Sequence, residues 1–418
     1  MKKVCIVTAF RGYDPAYGLC RFVENEVKML VRGGYTPRLI VRTGYKADEC
    51  ADAYAGAEIV AIDPGETGSN RVEVKPESRG EIDALEIQLL QAVEDFDVCI
   101  THDLIFQANL WKHHVAARRI APKLPGLRWL HVVHSASALN TVSKTGRFRR
   151  ELEGKFPNSR LVIFDREATN RYGALYGYEM DERVVIPPPV DFLADFHLLA
   201  QGIVLENALM RADIILTYPC RLDRGKQPHI LIEIAEHLNN MGYDAPVVLI
   251  DSYSNLGDKL AYKLEMQEKA AEANVPLICV SDHPDVKVRL PHQAVMDLLE
   301  VADVMVQPST TESYSRVMVE AAWKRCALVL NFDLPIFRQY DGLALFGKFS
   351  STVDVLTGHP GSTKTEYSDR SAYMRGMAAA IAYQMENNPV LKLHRQMRQE
   401  RSLEGVWPAF WAAIEGRQ

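Results

Sequence analysis

The chain of 418 residues is expected to form two doubly wound α/β domains in tandem, each a parallel sheet between helices. Three observations predict this. Short β-branched runs alternate with longer helical patterns from the first residues onward, which is the rhythm of βαβ units. A triple proline, Pro187–Pro188–Pro189, breaks that rhythm near the middle, because proline has no amide to donate and restricts the residue before it. The length also exceeds what one hydrophobic core usually organises.

Taken in order, VCIVTAF reads as a strand, residues 18–33 as a helix, PRLIVRT and EIVAI as strands, 81–95 as a helix and DVCITH as a strand. The series continues through helix-like 106–119, strands RWLHVVH and RLVIFD, helix-like 167–176 and strand RVVIPP. After the prolines come helix-like 195–211, strand DIILTYP, helix-like 227–240, strand VVLID, helix-like 257–273 and strand LICVS. Helix-like 292–301, strand VMVQP, helix-like 315–324 and strand ALVLNF complete the second series. The final VWPAFWAAI places Trp407, Phe410 and Trp411 at helical spacing, as a docking helix would. The expected domains are therefore 1–188, with 395–418 packing back on it, and 189–394. Ligands of such sheets bind beyond the carboxyl ends of the strands, so two facing sheets would share a cleft.

Apolar residues make up 47% and charged residues 24% of the chain, ordinary values for a chain that folds throughout. The formal charge of −6 argues against bulk attraction to nucleic acid, although a local basic strip can still face an anion. Cys5, Cys20, Cys50, Cys99, Cys220, Cys279 and Cys326 are odd in number and scattered, which points to a reduced, cytoplasmic setting without structural zinc. MKKVCIVTAF is too short an apolar run for a signal peptide, and no stretch approaches the length of a spanning helix.

Chemistry concentrates in two loops. In QPSTTESYSRVMVEAAW, a strand ends at Pro308, a polar loop follows and an apolar helix opens near Ser315. The helix amino terminus and the loop amides of Ser313, Tyr314 and Ser315 can receive a diphosphate or sugar hydroxyls. Glu312 and Glu320, seven residues apart, are carboxylates suited to hydroxyl-rich ligands. In YPCRLDRGKQPHILIEIA, Arg221, Arg224 and Lys226 lie just after the first strand of the second domain, where fixed cations can neutralise a departing diphosphate without a metal.

The acidic element resembles the Glu-x7-Glu signature of retaining GT-B glycosyltransferases, especially family 4, and the basic loop resembles that family's R-L-x-x-x-K loop at Arg221 and Lys226. The likeness extends over nearly the whole chain. It implies a GT-B fold, a nucleotide-diphosphate sugar as donor, and transfer of a hexosyl or pentosyl group with retention and no metal. On this resemblance Glu312 holds the donor sugar's hydroxyls, Glu320 holds the ribose, and backbone groups near Arg289 and Leu290 meet the base. Gly18 matches a glycine-rich loop near the diphosphate. His134, ending the strand in WLHVVHSASA, matches a histidine near the reacting sugar. His131 is the competing candidate, expected on the same side of that strand. Two departures stand out: DSYSN replaces a glycine-rich turn, and Arg325–Cys326 stand where a glycine follows the EA helix.

Between His134 and the next strand lies SKTGRFRRELEGKFPNSR, which brings Arg147, Arg149 and Arg150 close in sequence. An anionic acceptor is one reading: a lipid-linked glycan, a sugar phosphate or a nucleic acid with a modified base. A solvated charged segment is the other. Two further function classes fit the same architecture: a nucleotide-sugar epimerase, acting on the donor alone, and a module that binds nucleotide sugars without transfer.

Overall fold

The computed structural model describes residues 2–46, 52–63, 74–105, 107, 110–134, 145, 148–349, 351–353, 360–363, 367 and 369–417. The chain divides into two units, Met1–Asp191 with Arg401–Gln418, and Phe192–Glu400. The doubly wound α/β class expected from the sequence is what each unit forms.

The first unit alternates β1 (Val4–Val7), α1 (Gly18–Arg32), β2 (Arg38–Arg42), β3 (Glu58–Ile62), α2 (Ser78–Val93), β4 (Val98–His102) and α3 (Trp111–Ile120). It goes on through β5 (Arg128–Val132), α4 (Arg149–Leu152), β6 (Ser159–Ile163), α5 (Arg166–Tyr176) and β7 (Arg183–Val185). All pairings are parallel, in the order β3-β2-β1-β4-β5-β6-β7. The strands are apolar on both faces because helices cover both. On α1 the stripe Cys20, Val23, Val27 and Leu30 is buried, the i, i+3, i+4 spacing that turns one helix face to the sheet.

The first unit is completed by the chain's end. Helix α14 (Leu403–Glu415) starts where the Ser402 hydroxyl caps the Gly405 amide, and it buries Leu403, Val406, Phe410, Ala413 and Ile414 with the α1 stripe. A Cβ on Gly33 would lie 2.3 Å from the Trp407 ring, so only glycine allows this approach. The strand leaving the unit and the one returning meet as a parallel bridge, Val190 with Ser402. Asn25 donates to the Pro189 carbonyl, Lys28 pairs with Asp191 and Arg32 with Glu404, so α1 holds both crossings.

The second unit comprises α6 (Leu198–Glu206), β8 (Leu216–Arg221), α7 (His229–Asn240), β9 (Val247–Ser252), α8 (Gly257–Glu272), β10 (Leu277–Cys279) and α9 (His292–Val301). Then follow β11 (Val304–Gln307), α10 (Arg316–Trp323), β12 (Ala327–Asn331), α11 (Pro335–Arg338) and β13 (Leu345–Gly347). The parallel order is β10-β9-β8-β11-β12-β13. A small antiparallel pair, β14 (Ser351–Val353) and β15 (Pro360–Thr363), precedes α12 (Arg370–Asn387) and α13 (Pro389–Arg401). Among the described residues no helix is long and apolar enough to cross a membrane.

Strand order reverses between β1 and β4 in one unit and between β8 and β11 in the other. At such a switch the following connections leave to opposite faces, which opens a crevice at the carboxyl ends. In the second unit the parting is visible: β8 stays on β9 as far as Arg221 but pairs with β11 only through Thr217. Pro219, with no amide to donate, lies just beyond that point.

Candidate functional site

The switch point of the second unit is where the two predicted loops meet. After β8, residues Arg224–Lys226 make one tight turn, and Gln227 leaves it with a left-handed backbone (φ 52°). The loop after β11 is bonded to this turn. The Gly225 carbonyl accepts from the Thr310 amide (2.8 Å) and hydroxyl (3.2 Å), and the Gln227 side chain donates to the Pro308 carbonyl (2.8 Å). A Cβ on Gly225 would stand 3.1 Å from the Thr310 hydroxyl oxygen, so the glycine is matched to this contact. Lys226 then reaches across and forms a short ion pair with Glu312.

Glu312 is further held by the Ser309 hydroxyl (3.0 Å) and the Gln307 amide (3.2 Å). Gln307 is oriented in turn by the Ser315 hydroxyl, which donates to it while capping α10 by accepting from the Met318 amide. Ser309 is fixed by Tyr218 on β8 and through its carbonyl by Asn331 on β12. Glu312 is thus half-buried with its donors in place, a carboxylate preorganised rather than solvated. The main-chain amides of Ser313, Tyr314 and Ser315 make no hydrogen bond among the described residues, and they lie at the positive end of α10. Tyr314 is 69% exposed.

The remaining predicted residues divide. Arg221, at the end of β8, is largely exposed with Asp223 3.4 Å from its Nε. Arg224 turns away: its guanidinium pairs with Glu265 and stacks over Tyr262 on α8. Glu320 belongs to a separate cluster, its Oε1 accepting from Arg316 (2.6 Å) and facing His292 Nε2 (2.9 Å). Leu290 is buried in the core and Arg289 is exposed, in the connection leading to α9.

In the first unit, Gly18 is the first residue of α1, and a Cβ there would meet nothing within 4 Å. His134 lies just past β5, beside the end of β4. Its amide donates to Asp103 Oδ1 (2.8 Å) and its Nε2 is 3.0 Å from His102 Nδ1. Asp103 holds a left-handed backbone (φ 52°), the kind of strain a fold keeps where it positions a group. Burial, then the His102 ring, pushes His134 down to about 3, so it stays neutral near pH 7.

The expectation for His131 was wrong. Three residues is an odd step along a strand, so His131 and His134 point to opposite faces. His131 is fully buried against Trp129 and Phe156, with Thr101 Oγ1 2.7 Å from its Nδ1. Burial pushes it down to about 3, and it packs as core. Of the basic segment, Arg147 lies outside the described residues, Arg149 pairs with Glu153 one helical turn on, and Arg150 is exposed.

Sequence reasoning missed Gln307, Ser309 and Thr310. One signal was available: Gln307 is a polar residue closing the otherwise apolar run VMV, and it is 2% exposed. Glu26 and His102 were also missed. Among the described residues no group of three or more His, Cys, Asp or Glu could hold a metal ion.

No protein-family profile matches the chain, and no curated protein does. Among solved structures, HepE of Anabaena in complex with UDP is similar over 99% of this chain and 100% of that chain, at 12% identity and a TM-score of 0.38. Sucrose-phosphate synthase of Thermosynechococcus elongatus is similar over 100% of this chain and 99% of that chain, at 12% identity and a TM-score of 0.39. WaaG, a glycosyltransferase involved in lipopolysaccharide biosynthesis, is similar over 99% of this chain and 100% of that chain, at 11% identity and a TM-score of 0.34. At such values these likenesses bear on neither substrate nor chemistry.

Proposed function

We propose that this chain is a retaining glycosyltransferase that takes its sugar from a nucleotide-diphosphate sugar. The observation that carries the reading is the Lys226–Glu312 pair, locked by the Gly225–Thr310 and Gln227–Pro308 bonds beside the unbonded amides of Ser313, Tyr314 and Ser315. A cation, a preorganised carboxylate and a helix amino terminus at one strand switch are the three groups that a sugar joined to a diphosphate calls for. In this reading Lys226 and Arg221 neutralise the diphosphate, with the loop amides taking its oxygens. Glu312 accepts from the sugar hydroxyls and Glu320, through its second oxygen, from the ribose. Backbone near Arg289 and Leu290 meets the base, and Gly18 allows the diphosphate to come close.

The transfer proposed is a front-face displacement. The bond from the anomeric carbon to the diphosphate oxygen breaks, the acceptor oxygen bonds to the same face, and the acceptor proton passes to the departing diphosphate. Charge grows on the leaving group, so fixed cations count most in the transition state and no metal is invoked. His134 serves the reacting sugar. An anionic acceptor, whether lipid-linked glycan, sugar phosphate or modified nucleic acid, rests on the basic segment that holds Arg147, Arg149 and Arg150. A cytoplasmic setting is part of the same proposal.

The test is thermal shift against a panel of nucleotide-diphosphate sugars, followed by NMR of the transferred anomer. A ligand that binds only the folded state raises the transition, and K226A is expected to abolish that rise and lower turnover by about 10²–10³-fold. Near-full transfer by K226A, or conversion of the free donor to its epimer with no acceptor present, would overturn the proposal.

A further inference from the structure

Three side chains in the first unit form a line running out from the buried face of α1. Glu26 is 2% exposed, and its Oε2 lies 2.8 Å from His102 Nε2. His102 Nδ1 lies 3.0 Å from His134 Nε2. The His134 ring is walled by Phe22 and Phe164, both edge-on with centroids at 4.8 and 4.9 Å, and its main chain is tied to Asp103. No described residue engages His134 Nδ1.

Proton counting along this line has a small number of solutions. An ionised carboxylate only accepts, so His102 Nε2 must carry a proton. A neutral His102 then presents a lone pair at Nδ1. The proton between the two rings must therefore belong to His134 Nε2, which leaves His134 Nδ1 bare. The reverse order needs either a protonated Glu26 or an imidazolium at His102, and both put a proton on His134 Nδ1.

We infer that Glu26 and His102 are positioning residues that lock His134 as its Nε2–H tautomer, so that its Nδ1 lone pair is held ready to accept a hydrogen bond from a ligand hydroxyl. The tautomer follows from the first unit alone. That the hydroxyl belongs to a sugar rests on the transferase reading. Partial burial suits the arrangement, because a neutral ring against apolar walls needs no counter-ion.

The experiment is long-range proton–nitrogen NMR on the full chain labelled with 15N-histidine, with His102→Gln and His134→Gln assigning the rings. His134 is expected to show a protonated Nε2 and an unprotonated Nδ1 in the wild-type chain. Glu26→Gln, which can donate as well as accept, is expected to release the lock and give a mixed or reversed pattern. A proton on wild-type His134 Nδ1 overturns the inference, and this spectrum stands whether or not a variant folds. An unchanged His134 pattern in folded Glu26→Gln overturns it as well.

A second arm reads the role toward the sugar. Glu26→Gln is expected to lower kcat by about 10²-fold, as a wrong tautomer does in other acid–histidine pairs, with the KM for the donor little changed. Full turnover with a displaced tautomer overturns that role. Absence of any transfer by the wild-type chain instead sinks the transferase reading and leaves the spectrum standing.

Discussion

Arg325 occupies a backbone position that glycine would hold at lower cost. It follows α10 with φ 68°, and the chain closes there as a Schellman turn, Cys326 N to Ala321 O and Arg325 N to Ala322 O, both at 3.0 Å. A left-handed residue with a Cβ costs roughly 1 kcal/mol, so Arg325→Gly is expected to stabilise the second unit by about that amount, read as a higher midpoint in urea with an unchanged slope. The missing glycine at this place was legible in the sequence, but not that the backbone keeps the glycine conformation without it. Gly18 is the opposite case, because space is open where its Cβ would be. Gly18→Ala is expected to leave stability equal or raised by up to about 1 kcal/mol, while nucleotide-sugar turnover falls. Unchanged turnover would reduce Gly18 to a helix-start residue. Lys226 and Glu312 could be found because the loops that hold them resemble known motifs; Ser309, Thr310 and Asn331 could not, since common polar residues acquire roles only through the register of β8, β11 and β12.

At the scale of elements, the buried parallel strands were the easiest to read, because a strand covered on both faces is an unbroken apolar run. Boundaries moved where side chains decide them: α10 begins at Arg316 rather than Ser315 because Ser315 is spent as its cap. Helix α12 escaped notice, and α13 was expected only in part, within 395–418, for a physical reason. In RSAYMRGMAAAIAYQMEN small and apolar residues ring the helix, and PVLKLHRQMRQER is mostly charged and polar, so neither shows a simple stripe. What fastens α13 is one buried ion pair, Arg398 to Asp303 at 2.7 Å, with the guanidinium also bonding the carbonyls of Leu209 and Ala212. Removing one partner of such a pair strands the other, so Arg398→Met is expected to cost about 3–5 kcal/mol. Burial, only partly opposed by Arg398, holds the Asp303 carboxyl above its ordinary value, and the variant raises it further. The folded state then keeps a proton that the unfolded chain releases above about pH 3.9. The wild type keeps that proton too until pH passes its own raised Asp303 value, so the deficit of Arg398→Met should widen only as pH rises beyond that point, measured by urea unfolding at several pH values; a deficit that shrinks with rising pH would refute the assignment.

At the scale of the whole molecule, the tandem of doubly wound units was legible from the alternation of runs and from the three prolines. The chain's end was expected to pack back on the first unit from residue 395 onward, whereas the crossing falls at Arg401. The first unit's cores and the second unit's core are built from different residues, and α14 belongs wholly to the first. Stability should accordingly divide. Phe410 is 3% exposed and packs with the α1 stripe, so Phe410→Ala is expected to cost the first unit about 3–5 kcal/mol and to split the calorimetric melt by lowering one transition. A nucleotide-diphosphate sugar, held chiefly by the second unit in the reading proposed, should raise the other transition more than the lowered one. The two perturbations act on separate cores, so their effects should add within about 0.5 kcal/mol. A melt in which the nucleotide sugar lifts the Phe410→Ala transition as far as it lifts the other would show that its binding does not centre on the second unit, and the site at the β8–β11 switch would lose its claim to the donor.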